Sequence, residues 1–174
     1  IHFPARQPMN MSHTERLILS NQYEILAKLN PEKAAFYQRA STIVERGYCL
    51  QILELEKSFG HLDLATCQEV LDTLELHHAL AISWGNLDAS ARADVNESRL
   101  AFNGYSRSQE RELADYVCFL REVDKRFPEL PCPCDELSSD IAMRDKYQRM
   151  LAAWRQCPRQ YKLSIQEISK VLAA

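Results

Sequence analysis

Apolar residues recur at intervals of three and four along most of the chain, and no period-two alternation of the kind that marks half-buried strands is sustained. A Ser12/Glu15 pair at capping-box spacing precedes Leu19, Tyr23, Leu26 and Leu29, predicting a first helix. Asn30-Pro31 ends that helix and begins a second, because Asn30 can cap and Pro31 at the first helical position loses no hydrogen bond. The second helix runs to Gly47, a residue suited to the left-handed position past a helix end. A short third segment, Tyr48 to Phe59, ends at Gly60 in the same way. Asp63 then caps a long helix to about Trp84, closed by Gly85 and Asn86. Its second half, 76–84, is apolar nearly all round, the pattern of a central, buried helix.

The stretch 86–107 is the loosest, punctuated by Asn86, Asp88, Asn96, Asn103 and Gly104, and is expected to connect two subdomains at about 11–87 and 105–174. A fifth helix, about 108–126, carries Leu113, Tyr116, Val117, Leu120 and Val123 on one face. Pro128, Pro131 and Pro133 enforce an extended loop. A sixth helix, about 140–157, shows the cleanest stripe: Met143, Tyr147, Met150, Leu151, Trp154 and Cys157, with Pro158 breaking it. Ser164 and Glu167 form a second capping box, opening a terminal helix through Ile165, Ile168 and Leu172. The expected architecture is all-α: a multihelical bundle of six or seven helices over 11–174 as one domain, containing a helix-turn-helix-like segment. Residues 1–10, with Met9 and Met11 as candidate starts, are expected to be a disordered leader outside the fold.

Composition adds exclusions. Apolar residues make up 46% of the 174 and charged ones 26%, with a net charge of −3, so nothing pulls the whole molecule toward nucleic acid or an anionic membrane. The four glycines, at 47, 60, 85 and 104, stand too far apart for a phosphate-cradling loop. No apolar stretch has the length of a membrane span. Ile1 to Pro8 contains no continuous apolar signal core. The six cysteines are therefore expected to be reduced thiols in the cytoplasm, with Cys49, Cys67 and Cys118 packed as small hydrophobes in helices.

Four constellations bear on chemistry. Residues 54–60 and the helix from Leu64 have the outline of a helix-turn-helix. Yet no lysine or arginine lies between Lys57 and Arg92, while Asp63, Glu69, Asp72 and Glu75 occupy the helix that would meet DNA, where phosphates would repel them. Glu75 and His78 make a single Glu-x-x-His, half of what a di-iron bundle requires. The adjacent His77 and His78 diverge by about 100° on a helix and so cannot easily both face one metal; a buried, hydrogen-bonded histidine beside Trp84 is expected instead. Cys132-Pro133-Cys134 is too closely spaced for a typical zinc site and has no evident fourth ligand, an exposed reactive pair being the other reading. Finally, Arg144, Lys146, Arg149, Arg155, Arg159 and Lys162 stand against one acid, Asp145, interleaved with Tyr147, Trp154 and Tyr161. Because Tyr147 and Trp154 belong to the apolar stripe, the cations are expected on a solvated or ion-paired face that answers the acidic helix at 63–75.

The stretches ERLILSNQYEIL, IVERGYCLQILELEKSFG, LELHHALAISWGNL and DKYQRMLAAWRQCPRQYKLSIQEI resemble the YfbU family of bacterial proteins from about Met11 to Ala174. The resemblance implies an all-helical cytoplasmic bacterial protein, and it supplies no catalytic residue, metal or cofactor to carry over. The Cys-Pro-Cys loop and the leader depart from the family pattern. The expected function is non-enzymatic: an interaction domain binding itself or another protein, with Asp63, Glu69, Asp72 and Glu75 and the six cations as its surface. A degenerate helix-turn-helix regulator and an enzyme or metal protein without a recognisable motif are the alternatives.

Overall fold

The computed structural model describes residues 11–57, 59–92, 95–129 and 137–174. Among them are eight α-helices: α1 (His13–Leu29), α2 (Ala34–Arg46), α3 (Cys49–Glu56), α4 (Leu64–Gly85), α5 (Ala89–Arg92), α6 (Arg111–Glu122), α7 (Arg144–Arg155) and α8 (Ile165–Ala173). The leader and the Cys132-Pro133-Cys134 motif lie outside the described residues. No described helix is long and apolar enough to cross a membrane.

The all-α expectation holds, and most helix ends fall where local chemistry put them. Ser12 and Glu15 form the capping box of α1, Ser164 and Glu167 that of α8, and Asp63 caps α4 by accepting from the Thr66 amide at 2.8 Å. The eighth helix, beyond the six or seven expected, is the single turn α5, begun by Asp88, whose carboxylate takes the Ala91 amide. Two helices are shorter than their patterns. α6 stops at Glu122, and Lys125 and Phe127 then adopt left-handed backbone with the Arg126 amide folded back onto the Leu120 carbonyl. α7 starts only at Arg144, where its first amides meet the Glu110 carboxylate.

The chain divides into two compact units, 1–61 and 62–174. This differs from a connection at 86–107, and burial is the reason. Leu100, Phe102 and Tyr105 of that stretch are each at most 5% exposed and belong to the core of the second unit. The boundary falls instead between the two helices of the helix-turn-helix-like segment, α3 in the first unit and α4 in the second.

The first unit is an antiparallel hairpin of α1 and α2 with α3 packed on α2. Arg16 reaches Val44 and Glu45, Ser20 meets Ser41, and Tyr23 stacks on Tyr37. Gly47 ends α2 in the left-handed conformation, as its sequence position indicated, and the Arg16 guanidinium caps the last α2 carbonyls from α1. The unit fully buries few apolar side chains: Ala40, Ile43, Val44 and Ile52.

The second unit is organised around α4, which packs against α6, α7 and α8. Val70, Leu74, Leu76, Ala79 and Leu80 of α4 meet the α7 stripe of Met143, Tyr147, Met150, Leu151 and Trp154 in one core, with Ile168, Val171 and Leu172 of α8. An aromatic cluster of His77, Phe102, Tyr105 and Tyr147 sits at its centre, its rings 5.3 to 5.7 Å apart and mostly edge to face. The Tyr147 hydroxyl donates to the Gly104 carbonyl at 3.1 Å and accepts from the Asn103 amide at 3.2 Å.

Glu110 anchors the base of α6 and α7. Its carboxylate accepts from the amides of Ser106, Met143 and Arg144, the last at 2.7 Å. The first free N–H groups of α7 are thus capped by a side chain from the start of α6, which sets where α7 begins.

Candidate functional site

Two features of the second unit carry the polar groups singled out in the sequence. The first is the seam between α4 and α7. Spacings of three place Glu69, Asp72 and Glu75 along one flank of α4, and Arg144, Gln148 and Arg155 share the facing side of α7. The Arg144 guanidinium grips Glu69 through two bonds of 2.8 and 2.9 Å, and Gln148 adds a third at 3.1 Å. Arg155 pairs with Asp72, and the Tyr161 hydroxyl donates to Glu75. The bond from Arg144 holds the Glu69 carboxyl below its ordinary range, against some opposition from burial. Glu69 in turn raises the affinity of Arg144 for its proton.

The acidic and basic segments therefore meet within one chain. Of the residues expected to form an interaction surface, Glu69, Asp72, Glu75, Arg144 and Arg155 are engaged at this seam, and Asp63 is engaged as a cap. Arg149 donates to the Ala174 carbonyl at 2.5 Å. Lys146, Arg159 and Lys162 stay exposed, without an ion pair among the described residues. A double-mutant cycle of Arg144→Ala and Glu69→Ala, followed by urea denaturation, is expected to give a coupling of about 1 kcal/mol, given the bidentate geometry and an arginine still 40% exposed. The cycle at Arg155 and Asp72, where the arginine is 56% exposed, should give less.

The second feature is a cleft of about 440 Å³ between the second half of α4 and residues 97–102. His77 and His78 diverge here as their adjacency requires. His78 turns outward to Glu129, with Nδ1 3.1 Å from the carboxylate. His77 is buried, and its Nδ1 lies 2.8 Å from the Leu100 carbonyl. A carbonyl can only accept, so Nδ1 carries the proton and the bare nitrogen of the neutral ring is Nε2. Burial, with a smaller push from the Lys146 ammonium, lowers the His77 pKa from 6.5 to about 4, although the bond to Leu100 opposes this. Nε2 has no partner, and neither does the buried Nε1–H of Trp84. Arg92 lies over the Trp84 ring at 5.0 Å.

The buried, hydrogen-bonded state of His77 agrees with its place on the apolar half of the helix. Glu129, the Leu100 carbonyl and the Glu110 anchor were not anticipated; only the apolar character of Leu100 and Phe102 hinted that 97–102 was more than a connection. Among the described residues, no three His, Cys, Asp or Glu side chains are grouped so as to hold a metal ion. Cys49 is exposed rather than packed, since it opens α3, while Cys67 and Cys118 are partly buried and Cys157 is buried.

Residues 9–174 match the family model of the YfbU domain, essentially the whole chain. The chain is a member of the YfbU family.

Proposed function

We propose that the protein is a self-associating interaction domain, and that copies of it meet through α1. The supporting observation is an uncharged apolar stripe on that helix: Ile18, Ile25 and Leu29 are 51, 57 and 71% exposed, in a unit with few buried apolar side chains. With Gln22 they stand four, three and four residues apart, the spacing that lets helices interlock side chain into gap. Laid antiparallel about a two-fold axis between Asn21 and Gln22, a second copy would set its Ile25 against Ile18. The same axis brings the side-chain amides of the two copies together, and an amide both donates and accepts, so each can satisfy its counterpart. Leaving such a stripe in water is costly for a small unit, and covering it with a second copy removes that cost.

The full chain is expected to sediment as a dimer at micromolar concentration, with little change on raising salt to 1 M. A contact through Lys146, Arg159 and Lys162 would instead loosen as salt screens it. Ile25→Asp places a charge in the centre of the stripe and should weaken the dimer about a hundredfold while leaving helix content intact, because the residue is already exposed in the single chain. A monomer at every concentration, or a dimer indifferent to Ile25→Asp, would overturn the reading.

A further inference from the structure

The second unit holds the cleft on α4, which the proposed contact through α1 does not use. Its volume lies in the roughly 300–1,000 Å³ range of small-molecule sites, and Leu74, Ala81, Trp84, Leu100 and Phe102 give it a mostly apolar lining. The fixed charges in that lining are of one sign. Glu97 and Glu129 both line the cleft, and no lysine or arginine does. Burial keeps His77 neutral near pH 7, so His78 is the one lining group able to answer a carboxylate, and it faces Glu129 at 3.1 Å. Glu97 is exposed and has no ion pair among the described residues. Arg92 lies over the Trp84 ring, but it is bound to the Gly85 carbonyl and is not part of the lining. Two carboxylates against at most one imidazolium leave the cleft net negative in either state of His78.

We propose that the cleft binds a small organic cation, a single ammonium group carried on an apolar, ring-containing body, with the ammonium beside Glu97. The body displaces water from Leu74, Leu100 and Phe102, and a ring suits a lining that includes the aromatic faces and edges of Trp84 and Phe102. The ammonium stays at the exposed rim, where it keeps part of its hydration, so the cost of burying a charge is not incurred. An anion of the same shape meets carboxylates with no fixed cation to offset them.

The probes are tryptamine, 3-ethylindole and indole-3-propionate, which share one ring system and differ in charge. Proton–nitrogen spectra of the ¹⁵N-labelled full chain locate the binding, and calorimetry ranks it. Millimolar tryptamine is expected to shift the amides of Ala81, Gly85 and Ala101, which line the cleft. It should bind about fivefold more tightly than 3-ethylindole, and indole-3-propionate more weakly than either. Raising salt to 1 M should bring tryptamine down toward 3-ethylindole, since the ion pair is exposed. Glu97→Gln should do the same at low salt without loss of stability, because the side chain is exposed and unpaired. Unshifted amides at the cleft, a propionate that binds as well as the amine, or a preference for tryptamine that survives Glu97→Gln would each overturn the site.

Discussion

Gly104→Ala is expected to lose at least about 4 kcal/mol of stability or to fail to fold, the largest effect of a methyl group added at any of the four glycines. Gly104 has a φ of +78°, where an L side chain is strained. A Cβ there would also stand 2.0 Å from the Leu137 carbonyl oxygen and 2.2 Å from its carbon. These are backbone atoms, so no rotamer change relieves the overlap. Leu137 is 4% exposed, and the Ser139 amide bonds the Tyr105 carbonyl, so retreat of this strand of chain would open the core. The Gly104 carbonyl also receives the Tyr147 hydroxyl, and its displacement would strip the central aromatic of a partner. Urea denaturation checks the expectation, with Gly85→Ala as the control. A Cβ at Gly85 meets nothing within 4 Å, and its stability should fall by less than about 1 kcal/mol or rise.

Acidification should expose the second large effect, through His77. In the folded chain its pKa is about 4, because burial disfavours the imidazolium; in the unfolded chain it returns to 6.5. Between those values the unfolded state binds the extra proton. Stability is therefore full above pH 6.5, falls as the pH drops from 6.5 to 4, and ceases to fall on this account below 4. The gap corresponds to about 3 kcal/mol. Lys146 from α7 reinforces the effect, while the Leu100 carbonyl offsets part of it. In the cleft His77 shares its walls with His78, Glu97 and Glu129. Unfolding free energies at pH 7, 5.5 and 4.5 for the natural chain and His77→Gln would isolate the contribution, since glutamine does not titrate. An identical pH profile for both chains would remove His77 as its source. The Glu69–Arg144 pair does not mimic it, because the lowered Glu69 pKa moves its loss to more acid conditions.

What the sequence made legible was what short spacing determines. Ser12 with Glu15, Ser164 with Glu167 and Asp63 with Thr66 are contacts three residues apart, and each is where it was read. The α7 stripe from Met143 to Cys157 is buried throughout, because helical periodicity alone decides it. The segregation of acid on 63–75 from base on 144–162 was equally plain, but its closure within one chain depends on α4 and α7 lying side by side. What stayed hidden is nonlocal. Asn103-Gly104 reads as a turn, yet its surroundings are the core of the second unit, because Leu137 and Tyr147 approach it from far along the chain. Glu110 offers no motif, since its three amide partners span residues 106 to 144. On α1 the spacing of Leu19, Tyr23 and Leu26 marks one stripe, and Ile18 and Ile25 belong to a second on another side of the helix.

The Glu110 anchor also gives the second unit a latitude that its tight core does not suggest. By binding the Met143 amide, 33 positions onward, one carboxylate closes a ring of chain that runs through α6 and the connection after it. The entropy of closing such a ring grows only with the logarithm of its length, so ten extra residues between α6 and α7 would cost about 0.2 kcal/mol. Insertions in that connection are thus thermodynamically cheap, whereas a change at its clasp is not.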